Sequence, residues 1–205
     1  MKALCTALAS LTLLAIAAQG QTAPAIKINA KKLKVSEVET PQFQASNVGE
    51  KRWRPKKWLE LDLEFEIRLP ASEGGRSGTL DSMTVNYYLA FNATSKDGKR
   101  EVLKGSFNYV DIPAGETNHG LAFVSPAALR NILQRDGFTA ASDIQGWGYE
   151  VLVGGERVAG DSSLGGGPWW EKADALNISE GSLLTKQETP FAILWGDYDV
   201  SAKKK

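Results

Sequence analysis

Residues 58–69, WLELDLEFEIRL, constrain the chain more than any other stretch. Leu59, Leu61, Leu63, Phe65, Ile67 and Leu69 are apolar, and Glu60, Asp62, Glu64, Glu66 and Arg68 stand between them. Side chains alternate faces along a β-strand with period two, whereas a helix would scatter these six groups around its circumference. The pattern predicts a strand with one dry face and one wet face. Such a strand needs a second apolar layer over it, most commonly another antiparallel sheet.

The start of the chain reads differently. Lys2 precedes an apolar run from residue 3 to 18, and Ala18 and Gly20 offer small residues for cleavage before Gln21. This is the layout of a secretory signal peptide over residues 1–20. The run is short for a membrane span, and no basic flank follows it directly. The only cysteine, Cys5, lies inside it. The mature chain is therefore expected to lack cysteine, to work outside the cytoplasm without a disulfide, and to have no thiolate chemistry. About 185 residues remain, enough to bury a core without covalent staples. No later segment is long and apolar enough to cross a bilayer as a helix. The formal net charge is zero, so no general affinity for nucleic acid is implied.

Further strands are predicted along the chain. Residues 26–38 alternate with one slip between Ala30 and Leu33, read as a bulge, and their lysines suit the carboxylates of the central strand. Residues 84–91 and 100–112 flank an Asp97-Gly98 hairpin turn, and residues 120–124 form a short strand. Residues 147–153 and 156–159 flank Gly154-Gly155. The run 191–200, FAILWGDYDV, is apolar on both sides and predicts an interior strand. One helix is marked: Ser125 as N-cap, Pro126 in the first turn, Leu129, Ile132 and Leu133 as a stripe, and Gly137 to close it, about three turns in all. The fold class expected is all-β, an immunoglobulin-like sandwich with one or two short helices. It would be a single domain over 21–200, with a basic tail at 201–205.

No constellation for catalysis survives inspection. Gly160-Asp161-Ser162 is close to an esterase nucleophile motif, but the only histidine, His119, lies upstream and is flanked by Asn118 and Gly120 as in a turn. A lone histidine makes no zinc site. Asp197 and Asp199 lack the ligand spacing of a calcium loop and read as solvated strand-end residues. Glutamates 60, 64 and 66 share one strand face without an opposing acid. No catalytic residue, metal ligand or cofactor is predicted.

Two segments remain as candidate binding surface. The first packs Lys51, Arg52, Arg54, Lys56 and Lys57 around Trp53 and Trp58. Arginine with tryptophan suits anionic partners. The neutral overall charge favours instead the reading that both indoles pack on the sandwich edge while the cations balance the acidic strand. The second is Trp169 and Trp170, which follow a Gly-Gly-Gly-Pro loop and are the best candidates for an exposed platform able to stack glycans. Trp58, Trp147 and Trp195 lie in strand contexts and are expected in the core.

Together, the signal peptide, KKWLELDLEFEIRL, GYEVLVGGERV and FAILWGDYDV resemble the pilus-associated immunoglobulin-like secreted proteins of mucus-dwelling Verrucomicrobia. The resemblance covers most of the mature chain. It implies an exported β-sandwich linked to type IV pilus genes, and the function expected from it is that of a non-enzymatic protein, secreted, periplasmic or at the cell surface, that assists pilus assembly or adhesion. Its partners would be other pilus or envelope proteins, with host glycans or mucus as the alternative, and not nucleic acid. No catalytic residues come with it.

Overall fold

The computed structural model describes residues 26–44, 46–49, 51–165 and 167–203. The signal-peptide reading, with Cys5, and the last two lysines lie outside the described residues.

The central strand forms as its pattern dictates. It is β3, Lys57–Arg68, and Leu59, Leu61, Leu63, Phe65 and Ile67 are all at most 1% exposed. Each such side chain contributes roughly 1.5–3 kcal/mol by leaving water. On one flank β3 pairs antiparallel with both β1, Lys27–Ala30, and β2, Lys34–Glu39. On the other it pairs with β6, Thr117–Val124, which is followed by the two-residue β10, Leu183–Leu184. The slip between Ala30 and Leu33 is a break between two strands rather than a bulge. There Leu33 turns inward, 3% exposed, and Lys31 ion-pairs with Glu64.

The second sheet runs β8-β7-β4-β5-β9. It comprises β4, Thr79–Thr94, β5, Arg100–Pro113, β7, Ile144–Val153, β8, Glu156–Ser162, and β9, Leu176–Glu180. The hairpin at Asp97-Gly98 is present: Ser95 N donates to the Lys99 carbonyl, and Gly98 has φ 73°. β9 pairs parallel with β5. Val85, Tyr87, Leu89 and Phe91 of β4 meet the dry face of β3 in one core that spans both sheets. The architecture is a mostly-β sandwich of the immunoglobulin-like kind, with helix confined to short pieces.

The principal helix, α1, is Pro126–Leu133. The Ser125 hydroxyl accepts from Ala128 N at 3.2 Å, so the expected cap forms. The helix is shorter than expected and ends at Gln134, left-handed at φ 53°. Its apolar stripe is exhausted there, and Gln134, Arg135 and Asp136 are exposed. Gly137 turns the chain three residues later instead. Ser125→Ala is expected to lower stability by about 1 kcal/mol in a urea titration, because it orphans one helix-start donor. An unchanged midpoint would mean that the cap contributes nothing.

The final residues close one seam of the sandwich. Val200 N donates to the His119 carbonyl on β6, and Val110 N of β5 donates to Ser201. Ala202 bridges Tyr109, and Lys203 N donates to Asn108, so the tail is held as far as residue 203.

Candidate interaction surface

The link from β2 to β3 is a loop closed at its base. Thr40 N donates to the Lys56 carbonyl at 3.0 Å, and Lys56 N donates to Thr40 Oγ1 at 3.3 Å. Beyond that base the chain forms an arm, residues 41–55, carrying Phe43, Val48 and Trp53 at 56%, 64% and 51% exposure. Lys51, Arg52, Arg54 and Lys56 are exposed and have no ion pair among the described residues. Lys57 differs: its ammonium lies 2.7 Å from Glu37. That bond, with a second from Ala140 N–H, holds the Glu37 carboxyl below the usual range and raises the Lys57 ammonium. Beside the base is a cleft of about 370 Å³, lined by Leu129 and Phe138 together with Lys56, Arg130, Arg135 and Asp136.

Trp58 ties this arm to a second segment. Its indole N–H donates to Thr40 Oγ1 at 3.1 Å, and its ring meets the Phe191 ring edge-on at 5.7 Å. Phe191 in turn stacks on Phe123 at 4.9 Å. The two indoles of the basic-aromatic stretch thus divide, with Trp58 buried on the sheet and Trp53 exposed.

Residues 191–200 are not the interior strand that their composition suggested. They form a strap of successive turns across the outer face of the first sheet. Ala192, Leu194 and Tyr198 each donate to a carbonyl three residues back, which leaves no ladder to join. Only Phe191 is fully buried; Ile193, Trp195 and Tyr198 are 73%, 51% and 43% exposed. Trp195 is therefore not core, and Trp147 is only partly buried.

Two polar anchors hold the strap. Lys186 Nζ donates to Asp199 at 2.5 Å and to the Trp195 carbonyl at 2.9 Å, with both side chains of the ion pair almost fully buried. Asp199 is thus an interior partner and not a solvated strand end. The second anchor is Asp62, which accepts from Tyr198 OH at 2.7 Å and from His119 Nδ1 at 2.8 Å. The His119 and Tyr198 rings stack at 4.1 Å. His119 sits in mid-strand on β6 rather than in a turn, because Asn118 and Gly120 on either side both pair with β3. Burial, with Asp62 beside it, holds the Glu60 carboxyl above the usual range. Desolvation, the bond to Asp62 and the charges of Glu60 and Glu64 keep the Tyr198 phenol neutral well beyond the ordinary tyrosine range.

Trp169 and Trp170 form no exposed platform. They are 9% and 5% exposed and pack on the outer face of the second sheet with Tyr88, Ala90 and Val102. Trp170 stacks on Tyr88 at 4.6 Å. The sheet is carved to receive it: a Cβ on Gly148 would lie 2.0 Å from the Trp170 ring, and one on Gly146 would lie 2.5 Å from Leu164. The glycan-stacking expectation for this pair is corrected accordingly. Their indole N–H groups find no acceptor among the described residues.

Ser162 Oγ donates to the Leu164 carbonyl at 2.7 Å, and its strand β8 belongs to the sheet opposite that of His119. Glu60, Glu64 and Glu66 lie on the outer face of β3. Among the described residues no group of three or more His, Cys, Asp or Glu could hold a metal, and no helix is long and apolar enough to cross a membrane.

These features define a class: a two-sheet immunoglobulin-like sandwich in which, among the described residues, most of the large exposed apolar side chains are on an arm and a strap that meet at Trp58. A family model matches residues 19–205. The chain belongs to the family that its sequence resembles, the pilus-associated immunoglobulin-like secreted proteins of Verrucomicrobia. A crystal structure of a protein from Akkermansia muciniphila is similar at a TM-score of 0.76 and 25% identity, over 88% of this chain and 95% of that one. No curated protein matches it.

Proposed function

We propose that the protein is exported, has no enzymatic activity, and acts in type IV pilus assembly or cell-surface adhesion through protein–protein contacts made by the arm. The supporting observation is Trp53, half exposed, with the exposed cations Arg52, Arg54 and Lys56 around it, on a loop whose base is fixed to a rigid sheet. Tryptophan and arginine dominate the energetics of protein interfaces, and large exposed apolar side chains next to one another mark contact sites. Pilus association and export rest on the family resemblance and the signal-peptide pattern. The reading of no enzymatic activity rests on the separation of Ser162 from His119.

The test is crosslinking in the native envelope followed by identification of what is joined to the protein. Wild type is expected to capture a pilus or envelope protein, and the triple variant Arg52→Ala, Trp53→Ala, Arg54→Ala is expected to lose at least about tenfold of that capture, since one such anchor is worth about 2 kcal/mol. Equal capture by the folded variant would refute the role of the arm. Ester turnover by wild type that Ser162→Ala abolishes would refute the absence of catalysis.

A further inference from the structure

Of the eight large hydrophobic side chains most exposed among the described residues, six are on the arm or the strap: Phe43, Val48, Trp53, Ile193, Trp195 and Tyr198. The remaining two, Val158 and Ile178, are on edge strands of the other sheet. The two segments are neighbours, because Trp58 bonds to the base of the arm and packs on Phe191 of the strap. Their charges are opposite. The arm and its base carry Lys51, Arg52, Arg54 and Lys56 without an ion pair among the described residues. The strap carries Asp197, which is exposed and without an ion pair among the described residues, and it runs beside Glu60 and beside Glu64, which is paired with Lys31. Residues 187–200 contain no lysine or arginine, and Lys186, which precedes them, is buried against Asp199.

A basic-aromatic patch next to an acidic-aromatic patch on one face is self-complementary under a two-fold rotation. Turned end for end, each patch of one molecule meets the opposite patch of the other, which is the requirement of an isologous interface. The zero net charge of the whole chain leaves no long-range repulsion against such pairing. We propose that the partner of this surface is a second copy of the same chain, the arm of each molecule seated on the strap of the other. The proposal rests on the reading of the arm as a protein-contact surface and names its partner.

The experiment is sedimentation of the purified protein alone, across a range of concentration and salt. Wild type is expected to form a dimer that weakens as ionic strength rises from about 0.05 to 0.5 M, because exposed charges are screened over that range. Two charge-reversed variants follow: Arg52→Glu with Arg54→Glu on the arm, and Ala192→Lys with Asp197→Lys at exposed strap positions. Each alone opposes like charges and is expected to dimerise at least about tenfold more weakly. Mixed together, each arm meets a strap of opposite sign, and dimerisation is expected to return to near the wild-type level. A wild type that stays monomeric, variants that dimerise unchanged, or a mixture no stronger than its components would overturn the proposal. If a variant does not fold, carbodiimide crosslinking of mixed isotope-labelled and unlabelled wild type decides. Links from Lys51 or Lys56 to Asp197 between copies support the proposal, and their absence overturns it. Envelope capture that depends on the arm, with a purified protein that remains monomeric, would sink this inference while leaving the functional proposal standing.

Discussion

Raising the pH above about 10 is expected to unfold the protein steeply, with phenolate absorbance and loss of β-structure appearing in one step. All five tyrosines of the chain have their phenols pushed above the ordinary value. Tyr87, Tyr109 and Tyr149 are in the core, none more than 2% exposed, and burial is the first cause in each case. The Tyr87 and Tyr109 hydroxyls lie 3.1 Å apart and reach the Gly120 and Leu121 carbonyls at 3.2 and 3.3 Å. A Cβ on Gly120 would sit 2.8 Å from the Tyr87 oxygen, so that glycine makes room for the pair. Tyr149 donates to the Lys31 carbonyl at 2.9 Å and is pushed up to about 12. Above the free phenol value the unfolded chain releases these protons and the folded one keeps them, so stability falls as pH rises. Each fully linked phenol removes about 1.4 kcal/mol per pH unit. The three core tyrosines together remove about 4 kcal/mol per unit between roughly pH 10 and 12, against a typical total of about 5–15 kcal/mol. Tyr198 is too exposed to be counted. Phenols that titrate near 10 while circular dichroism stays native would show that the core does not shield them.

The same core explains how much of the fold could be read in advance. Strict alternation in 58–69 and in 84–91 fixes strand, face and partner layer together, because a shift of one residue would expose every apolar group. Glycine turns at 97–98 and 154–155 fix the hairpins between neighbouring strands. What was not legible depends on contacts between residues far apart in sequence. Phe191, Ile193, Leu194 and Trp195 have the composition of an inner strand, yet only the docking of Phe191 between Trp58 and Phe123 determines which of them is buried. Trp169 and Trp170 gave the same difficulty, since a glycine-rich loop before them suggests display. The counter-signal was in GWGY at 146–149. Two glycines at alternate positions of a strand leave its outer face bare, and something large must fill it. The candidate surface divides along the same line. Of the two indoles favoured to pack on the sandwich edge, Trp58 does so and Trp53 stays in solvent, while the strap becomes visible only once Lys186 and Asp199 are brought together.

That ion pair carries the other large expected effect. Lys186→Met is expected to lower stability by about 3–5 kcal/mol, the usual consequence of leaving one partner of a buried pair behind. Asp199 would remain a buried carboxylate without its cation, and the Trp195 carbonyl would lose its donor. The loss should fall first on the strap, because Trp195 is held in a left-handed conformation, φ 50°, that a tryptophan seldom adopts. Release of the strap would uncover Phe123 and Trp58, so faster proteolysis within 187–200 and a shift in tryptophan fluorescence should precede the main unfolding transition. Asp62 offers a comparison. It accepts from both Tyr198 and His119 but, among the described residues, bonds to no lysine or arginine. Tyr198→Phe removes one hydrogen bond and leaves the other, and the cost should stay near the roughly 1.5–3 kcal/mol of a hydrogen bond to a charged group. The decisive variant removes both ends of the buried pair. Lys186→Met with Asp199→Leu replaces two charges by apolar groups of similar bulk, and such replacements are often neutral or stabilising. Recovery of most of the lost stability in that double variant would assign the cost of Lys186→Met to an orphaned carboxylate. A double variant as unstable as the single one would place the cost in lost packing around Trp195 and Phe191.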